Sequence, residues 1–302
     1  MVSTRRNGLF TKGIVARGKI TFSGQATSDS FDSSDPAYST NGRYDVAKRK
    51  DNGDIASNLT VEKSIDTSGQ VKIYGRVSTG PKGTVGLSGQ VAFGTKAWID
   101  GGNKGIQPGR STDDMNVSFA DVAPPFNGGA FAPAPGTVNG TNYTYVLDSE
   151  KHQLSKLDLS GSQKVIVKGN VTLYVTGDIS VSGQAFIYIA PGASLKLYVG
   201  GASTSLSGQG VANADGNASN FSYWGLPENK NVTLSGDAAF TGTIYAPNAV
   251  LTLSGGGTDI VDFSGAAIVG EAKVSGHYHF HYDENLGRLG SGGFVVTGWN
   301  EI

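Results

Sequence analysis

The sequence predicts a right-handed parallel β-helix: an all-β solenoid of short stacked strands with loop excursions and a capping tail. Three observations predict it. A phrase of one apolar residue followed by Ser-Gly recurs along the chain, at Phe22-Ser23-Gly24, Leu87-Ser88-Gly89, Leu159-Ser160-Gly161, Val181-Ser182-Gly183, Leu206-Ser207-Gly208, Leu234-Ser235-Gly236, Leu253-Ser254-Gly255 and Val274-Ser275-Gly276. A second phrase, built on tyrosine, keeps step with it: Tyr174, Tyr198, Tyr223 and Tyr245 follow one another at nearly even intervals. Between the phrases the pattern has period two, as where Val171, Leu173 and Val175 alternate with Thr172, Tyr174 and Thr176.

Each element follows from these observations. Alternation over four to six residues bounded by Gly, Pro or Asn is the pattern of a half-buried strand. One coil of such strands cannot bury its own Val, Ile and Leu, but coils stacked about 4.8 Å apart pair their backbones and close a continuous apolar stripe. Glycine after serine supplies corner conformations with positive φ, and serine is small enough to stack on its counterpart. A β-sandwich also has short strands and glycine turns, but it does not repeat side-chain phrases in register. The spacing places coils over 14–30, 57–100 and 145–286. Polar excursions with Asp-Pro, Asn-Gly and proline-rich signals fill 31–56 and 101–144, and residues 287–302 are expected to cap the last coil, since an uncovered edge is an aggregation template. Helical turns are expected only near Asp45–Lys50 and Glu150–Leu157.

Composition narrows the function. The chain has 302 residues, of which 45 are Gly; 16% are charged and 38% hydrophobic, enough apolar chain for a core and too little charge for a disordered polymer. With 24 basic and 25 acidic residues it carries no net field that would draw nucleic acid or an anionic membrane. The absence of cysteine excludes disulfides and thiol chemistry. No apolar run is long enough to span a bilayer, and Met1–Gly13 lacks the apolar core of a signal peptide.

Three residue sets are candidates for chemistry. On a strand, His277, His279, His281 and Asp283 share one face, with Tyr278, Phe280 and Tyr282 on the other. Imidazoles about 6.7 Å apart can converge on a divalent metal such as zinc or copper; the alternative is an edge strand that packs its aromatics inward, with no cofactor. Tyr174, Tyr198, Tyr223, Trp224 and Tyr245 form an expected outer aromatic stripe, either a sugar- or protein-binding surface or a structural ladder. Asp29, Asp32, Asp35, Asp45, Asp51 and Asp54 are acidic enough for calcium or polysaccharide chemistry, yet their spacing fits turn formers. No nucleophile elbow, phosphate loop or HExxH motif is present, so no catalytic residue is assigned.

Several stretches carry a family resemblance: Phe31–Asn58 (FDSSDPAYSTNGRYDVAKRKDNGDIASN), Asn170–Gly177 (NVTLYVTG), Ala190–Gly201 (APGASLKLYVGG), Asn220–Leu226 (NFSYWGL), Phe240–Gly256 (FTGTIYAPNAVLTLSGG) and Phe280–Arg288 (FHYDENLGR). The chain resembles bacterial surface proteins known as PilX-like or type IV pilus-assembly-associated, which have a C-terminal domain of unknown function. Their apolar pilin-like anchor has no counterpart at the start of this sequence. The resemblance implies export to the bacterial cell surface or the extracellular space, with polysaccharide or other surface and pilus proteins as partners. The expected function is a non-enzymatic structural or adhesive β-helix. The alternative is a carbohydrate-active enzyme, a polysaccharide lyase or glycoside hydrolase, by analogy of fold.

Overall fold

A computed structural model describes residues 2–6, 8–148, 150–236, 239–255, 262–289 and 294–299. The protein is nearly all β, dominated by a 22-stranded sheet and a five-stranded sheet. Within them the strands fall into three columns, and all pairings but one are parallel.

The tyrosine column runs through Lys151–Leu154, Asn170–Val175, Ser194–Val199 and Phe221–Gly225 in register. It continues into Phe240–Gly255 and Phe263–Gly276. These two strands, of 16 and 14 residues, belong to more than one column and tie the columns together. The Ser-Gly column runs from Leu157–Leu159 through Ile179–Val181, Ser203–Leu206 and Asn231–Gly236 into the same two long strands. The third column begins with an antiparallel hairpin, Ala134–Val138 with Thr141–Leu147. Lys164–Val167, Phe186–Ile189 and Val211–Asn213 follow it. Later in the same column, His279–Asp283 pairs with the start of Phe263–Gly276.

The order along the columns is not the order along the chain. Ile14–Ala16 and Ile20–Gly24 pair with Phe263–Gly276, and Thr27–Phe31 pairs with His279–Asp283. Beyond them lie Ile55–Ser57, Ile65–Gly69 and Lys72–Tyr74, then Val77–Ser78, Val85–Gly89 and Ala92–Gly94. The first strands of the chain therefore sit on the last, at a seam inside the stack. This corrects the expected role of the 287–302 tail, because the edge it was to cap is already covered by residues 14–31. Instead Phe294–Trp299 pairs antiparallel with Val2–Arg6; residues 290–293 and 300–302 lie outside the described residues. From Thr112 the chain returns past the seam to Ala134 as a strap.

The core follows the period-two pattern. Val171, Leu173 and Val175 lie in register with Leu195, Leu197 and Val199, all buried. Phe221, Phe240, Phe263 and Phe280 stack through successive strands with ring centroids 5.3, 4.6 and 4.4 Å apart, and the stack stops at the seam. The expected turn near Asp45 is a short 3₁₀ segment, Val46–Lys48, whose Ala47 N–H is capped by the Asp45 carboxylate. The expected turn at 150–157 is instead the strand Lys151–Leu154. An α-helix at Lys96–Asp100 has no periodic signal to announce it.

Candidate functional site at the seam

His279–Asp283 and Thr27–Phe31 lie side by side at the seam, so His281 faces Asp29 directly. Their side chains meet at 2.5 Å, His281 Nδ1 to Asp29 Oδ1, with both residues about 1% exposed. The other oxygen of Asp29 accepts a hydrogen bond from the Tyr44 hydroxyl at 2.7 Å. The Tyr44 ring stacks on the imidazole with centroids 3.5 Å apart. Burial, with the Asp29 charge adding to it, drives the Tyr44 hydroxyl far above its ordinary pKa and keeps it a donor. The 31–54 excursion is thus clamped over the histidine strand.

Further polar contacts extend the clamp. Glu284 accepts from Ser30 Oγ at 2.8 Å and from Lys50 Nζ at 2.5 Å. Arg288 reaches Asp32 at 2.5 Å. Burial raises the Asp32 carboxyl, but hydrogen bonds from Arg288 and Ser34 outweigh it and hold the group below the usual carboxylate range. Asp283 accepts from the Ser33 and Asn285 N–H groups at 3.0 and 3.1 Å, while its other oxygen is buried without a hydrogen bond. Burial raises its pKa. At the edge of the loop, Arg49 lies over the Tyr74 ring and bonds both the Tyr74 hydroxyl and Asp100.

This geometry reassigns the histidine strand. Tyr278, Phe280 and Tyr282 are buried as the alternation requires. On the opposite face exposure falls along the strand: His277 is exposed, His279 half-buried and His281 buried. The four residues expected to converge on a metal therefore point into different surroundings. His281 is engaged by Asp29 and Tyr44, and Asp283 caps Glu284–Gly287 through the Asn285 N–H. Among the described residues no group of three or more His, Asp or Glu side chains is arranged to hold a metal ion. Burial and the neighbouring His281 lower the His279 pKa. The acidic excursion serves similar ends: Asp35 and Asp45 bond backbone N–H groups two residues on, and Asp51 accepts from Lys96 N.

The aromatic stripe is likewise partly covered. Tyr174, Tyr198, Trp224 and Tyr245 occupy one row of the tyrosine column. Tyr198 and Trp224 stack at 5.9 Å, and Trp224 and Tyr245 lie 5.4 Å apart. Tyr223 is not in this row; period two turns it inward, where its hydroxyl meets Thr204 and Asn229 at 2.7 and 2.9 Å. The strap crosses the row: Phe126 packs edge-on against Tyr174, and Tyr245 donates to Ala120 O at 2.7 Å. Asn248 and Arg17, on opposite sides of the seam, both hold strap residues 119–121.

Residues 134–289 match DUF7305, a domain of unknown function. The chain belongs to the DUF7305 family. No curated protein and no solved structure matches the chain. The DUF7305 match takes in one bank of the seam, with His281, Asp283, Glu284 and Arg288. The facing bank, with Asp29, Asp32, Tyr44 and Lys50, lies outside the match. Sequence reasoning singled out the histidines and the aspartates separately but not as partners, because a contact between opposite ends of the chain leaves no trace in local spacing.

Proposed function

We propose that this DUF7305 protein is a right-handed parallel β-helix acting as a non-enzymatic structural or adhesive element of the bacterial cell surface, associated with type IV pili. Neighbours in the columns recur at nearly even intervals over 151–225, as in a coiled solenoid with a strand on each face. Parallel crossovers favour the right-handed sense. One observation carries the functional reading: the conspicuous polar side chains are spent on holding excursions to the stack, as in the Asp29–His281–Tyr44 cluster. Such chemistry gives stiffness, the property a spacer or adhesin needs. The resemblance to pilus-associated surface proteins supplies the setting and the partners, polysaccharide or other surface proteins. Protease shaving of intact cells should remove the protein, and its deletion should lower adhesion without altering growth on polysaccharides. Retention in the cytosolic fraction would sink the proposal.

One feature favours the carbohydrate-active alternative. A cleft of about 450 Å³ at the seam is lined by Asn52, Asp54, Tyr282, Glu284 and Arg288. It holds two carboxylates, as glycoside hydrolysis requires. Each already has a lysine partner, Lys12 for Asp54 and Lys50 for Glu284. Reducing-sugar release across a polysaccharide panel, abolished in Glu284→Gln, would establish this reading in place of the first.

A further inference from the structure

We infer that the end of the stack at Val85–Gly89 is a docking slot for one extended peptide strand bearing an apolar-Ser-Gly phrase. The inference rests on the shape of this end alone and holds whether or not the surface reading does.

The three columns end unequally here. In the tyrosine column Val77–Ser78 is covered by Ser111–Thr112, and in the third column Ala92–Gly94 is covered by Gly105–Ile106. In the Ser-Gly column Val85–Gly89 pairs with Ile65–Gly69 on one side and, among the described residues, with no strand on the other. The result is a gap one strand wide between two covered neighbours. A cleft of about 240 Å³ lies there, lined by Thr79, Val85, Ile106, Ser111, Thr112 and Asp113. Exposed backbone donors and acceptors on a sheet edge recruit an added strand, and side-chain pockets select its sequence.

The column itself states what the added strand must carry. Leu253, Val274, Phe22, Thr67 and Leu87 form one row, and the first four are buried. Leu87, with no paired strand above it among the described residues, is 45% exposed. An apolar side chain in the next strand would complete the row. Two positions on, the requirement is stricter. Gly24, Gly69 and Gly89 have φ of 84°, 94° and 92°. A Cβ on any of them would lie 2.5 to 2.6 Å from the carbonyl oxygen of the glycine beneath. A strand seated on Gly89 in the same register meets the same carbonyl, so only glycine fits there. Serine between the two continues the row Ser23, Ser68, Ser88. The occupant is therefore a polypeptide strand running parallel to Val85–Gly89 and reading apolar-Ser-Gly.

The chain's own phrase supplies the probe. A fluorescein-labelled peptide with the sequence of residues 250–256, VLTLSGG, carrying two added lysines for solubility, is titrated with the full chain and followed by anisotropy. Saturable binding is expected. It should weaken at least tenfold for the Leu87→Lys chain and for a peptide whose first glycine is replaced by alanine. Leu87→Lys substitutes a half-exposed side chain, and an unchanged melting temperature would show that the fold is intact. No saturable binding, or equal binding of the Leu87→Lys chain or of the alanine peptide, would overturn the inference.

Discussion

Gly69 illustrates why the Ser-Gly phrase tolerates little change. Its φ is 94°, and a Cβ would approach the Gly24 carbonyl oxygen to 2.5 Å. Both objections are to backbone, so no side-chain rotation relieves them. Gly69→Ala should lower stability by about 2–4 kcal/mol, from left-handed strain plus displaced strands. A urea midpoint within error of the parent would show that the column is not packed this closely. At the seam, charge adds a dependence on pH. Arg288 and Ser34 hold the Asp32 carboxyl below its ordinary value. The stabilisation is therefore fully present above the unfolded pKa and disappears as pH falls through the depressed folded value. Asp283 works in the opposite sense: its pKa is raised by burial, so protonation relieves a cost as pH falls. Subtracting the Arg288→Ala variant from the parent isolates the Asp32 contribution. The difference in urea midpoint should be largest at neutral pH and shrink below about pH 4. A constant difference from neutral pH down through that range would count against the ion pair.

At the scale of elements, the two excursions act as fasteners with different strength. The 31–54 loop is tied by buried polar contacts, whereas the strap of residues 113–133 has no regular structure and rests on spaced anchors. Phe126, against Tyr174 and 6.0 Å from Lys151 Nζ, is one of them. Phe126→Ala should speed limited proteolysis within 113–133 several-fold while costing the fold only about 1 kcal/mol. Unchanged cleavage would mean that the other anchors suffice. What the sequence disclosed of these elements follows their range. The strands and Ser-Gly corners were legible because alternation and glycine spacing are local. The row of Tyr174, Tyr198 and Tyr245 was legible for the same reason, but adjacent Tyr223 and Trp224 offered two registers, and a one-residue slip reverses the face. Trp224 takes the outer place and Tyr223 the inner one. The histidine strand was legible as a strand, with its aromatics inward. That His281 on its other face lies under Tyr44 was not, because the covering loop belongs to the opposite end of the chain.

The whole molecule depends on a junction that the chain's own order conceals. Residues 14–112 form the far part of the stack, residues 134–283 the near part, and only the strap joins them covalently across the seam. The seam is held by three strand pairings, one in each column, together with the Asp29–His281 cluster and its neighbours. Folding must bring together strands from opposite ends of the chain, and contacts of such separation form slowly. The near part can pair its own strands in chain order, whereas Ile14–Ala16 and Ile20–Gly24 need Phe263–Gly276 as their template. Thr21 and Lys273 are Cα partners across this junction, and neither side chain belongs to the buried core. The chain has no cysteine, so Thr21→Cys with Lys273→Cys gives a single possible pair. Parallel neighbours about 4.8 Å apart fall within disulfide reach. Mild oxidation should close a loop that takes in most of the monomer. Chain entropy then stabilises the fold by roughly 5 kcal/mol, less any strain. The oxidised protein should also stay in one piece in denaturant after a protease has cut the strap, whereas the reduced, cut protein separates into two fragments. Failure of the pair to oxidise in the folded monomer would mean that the first and last strands do not meet.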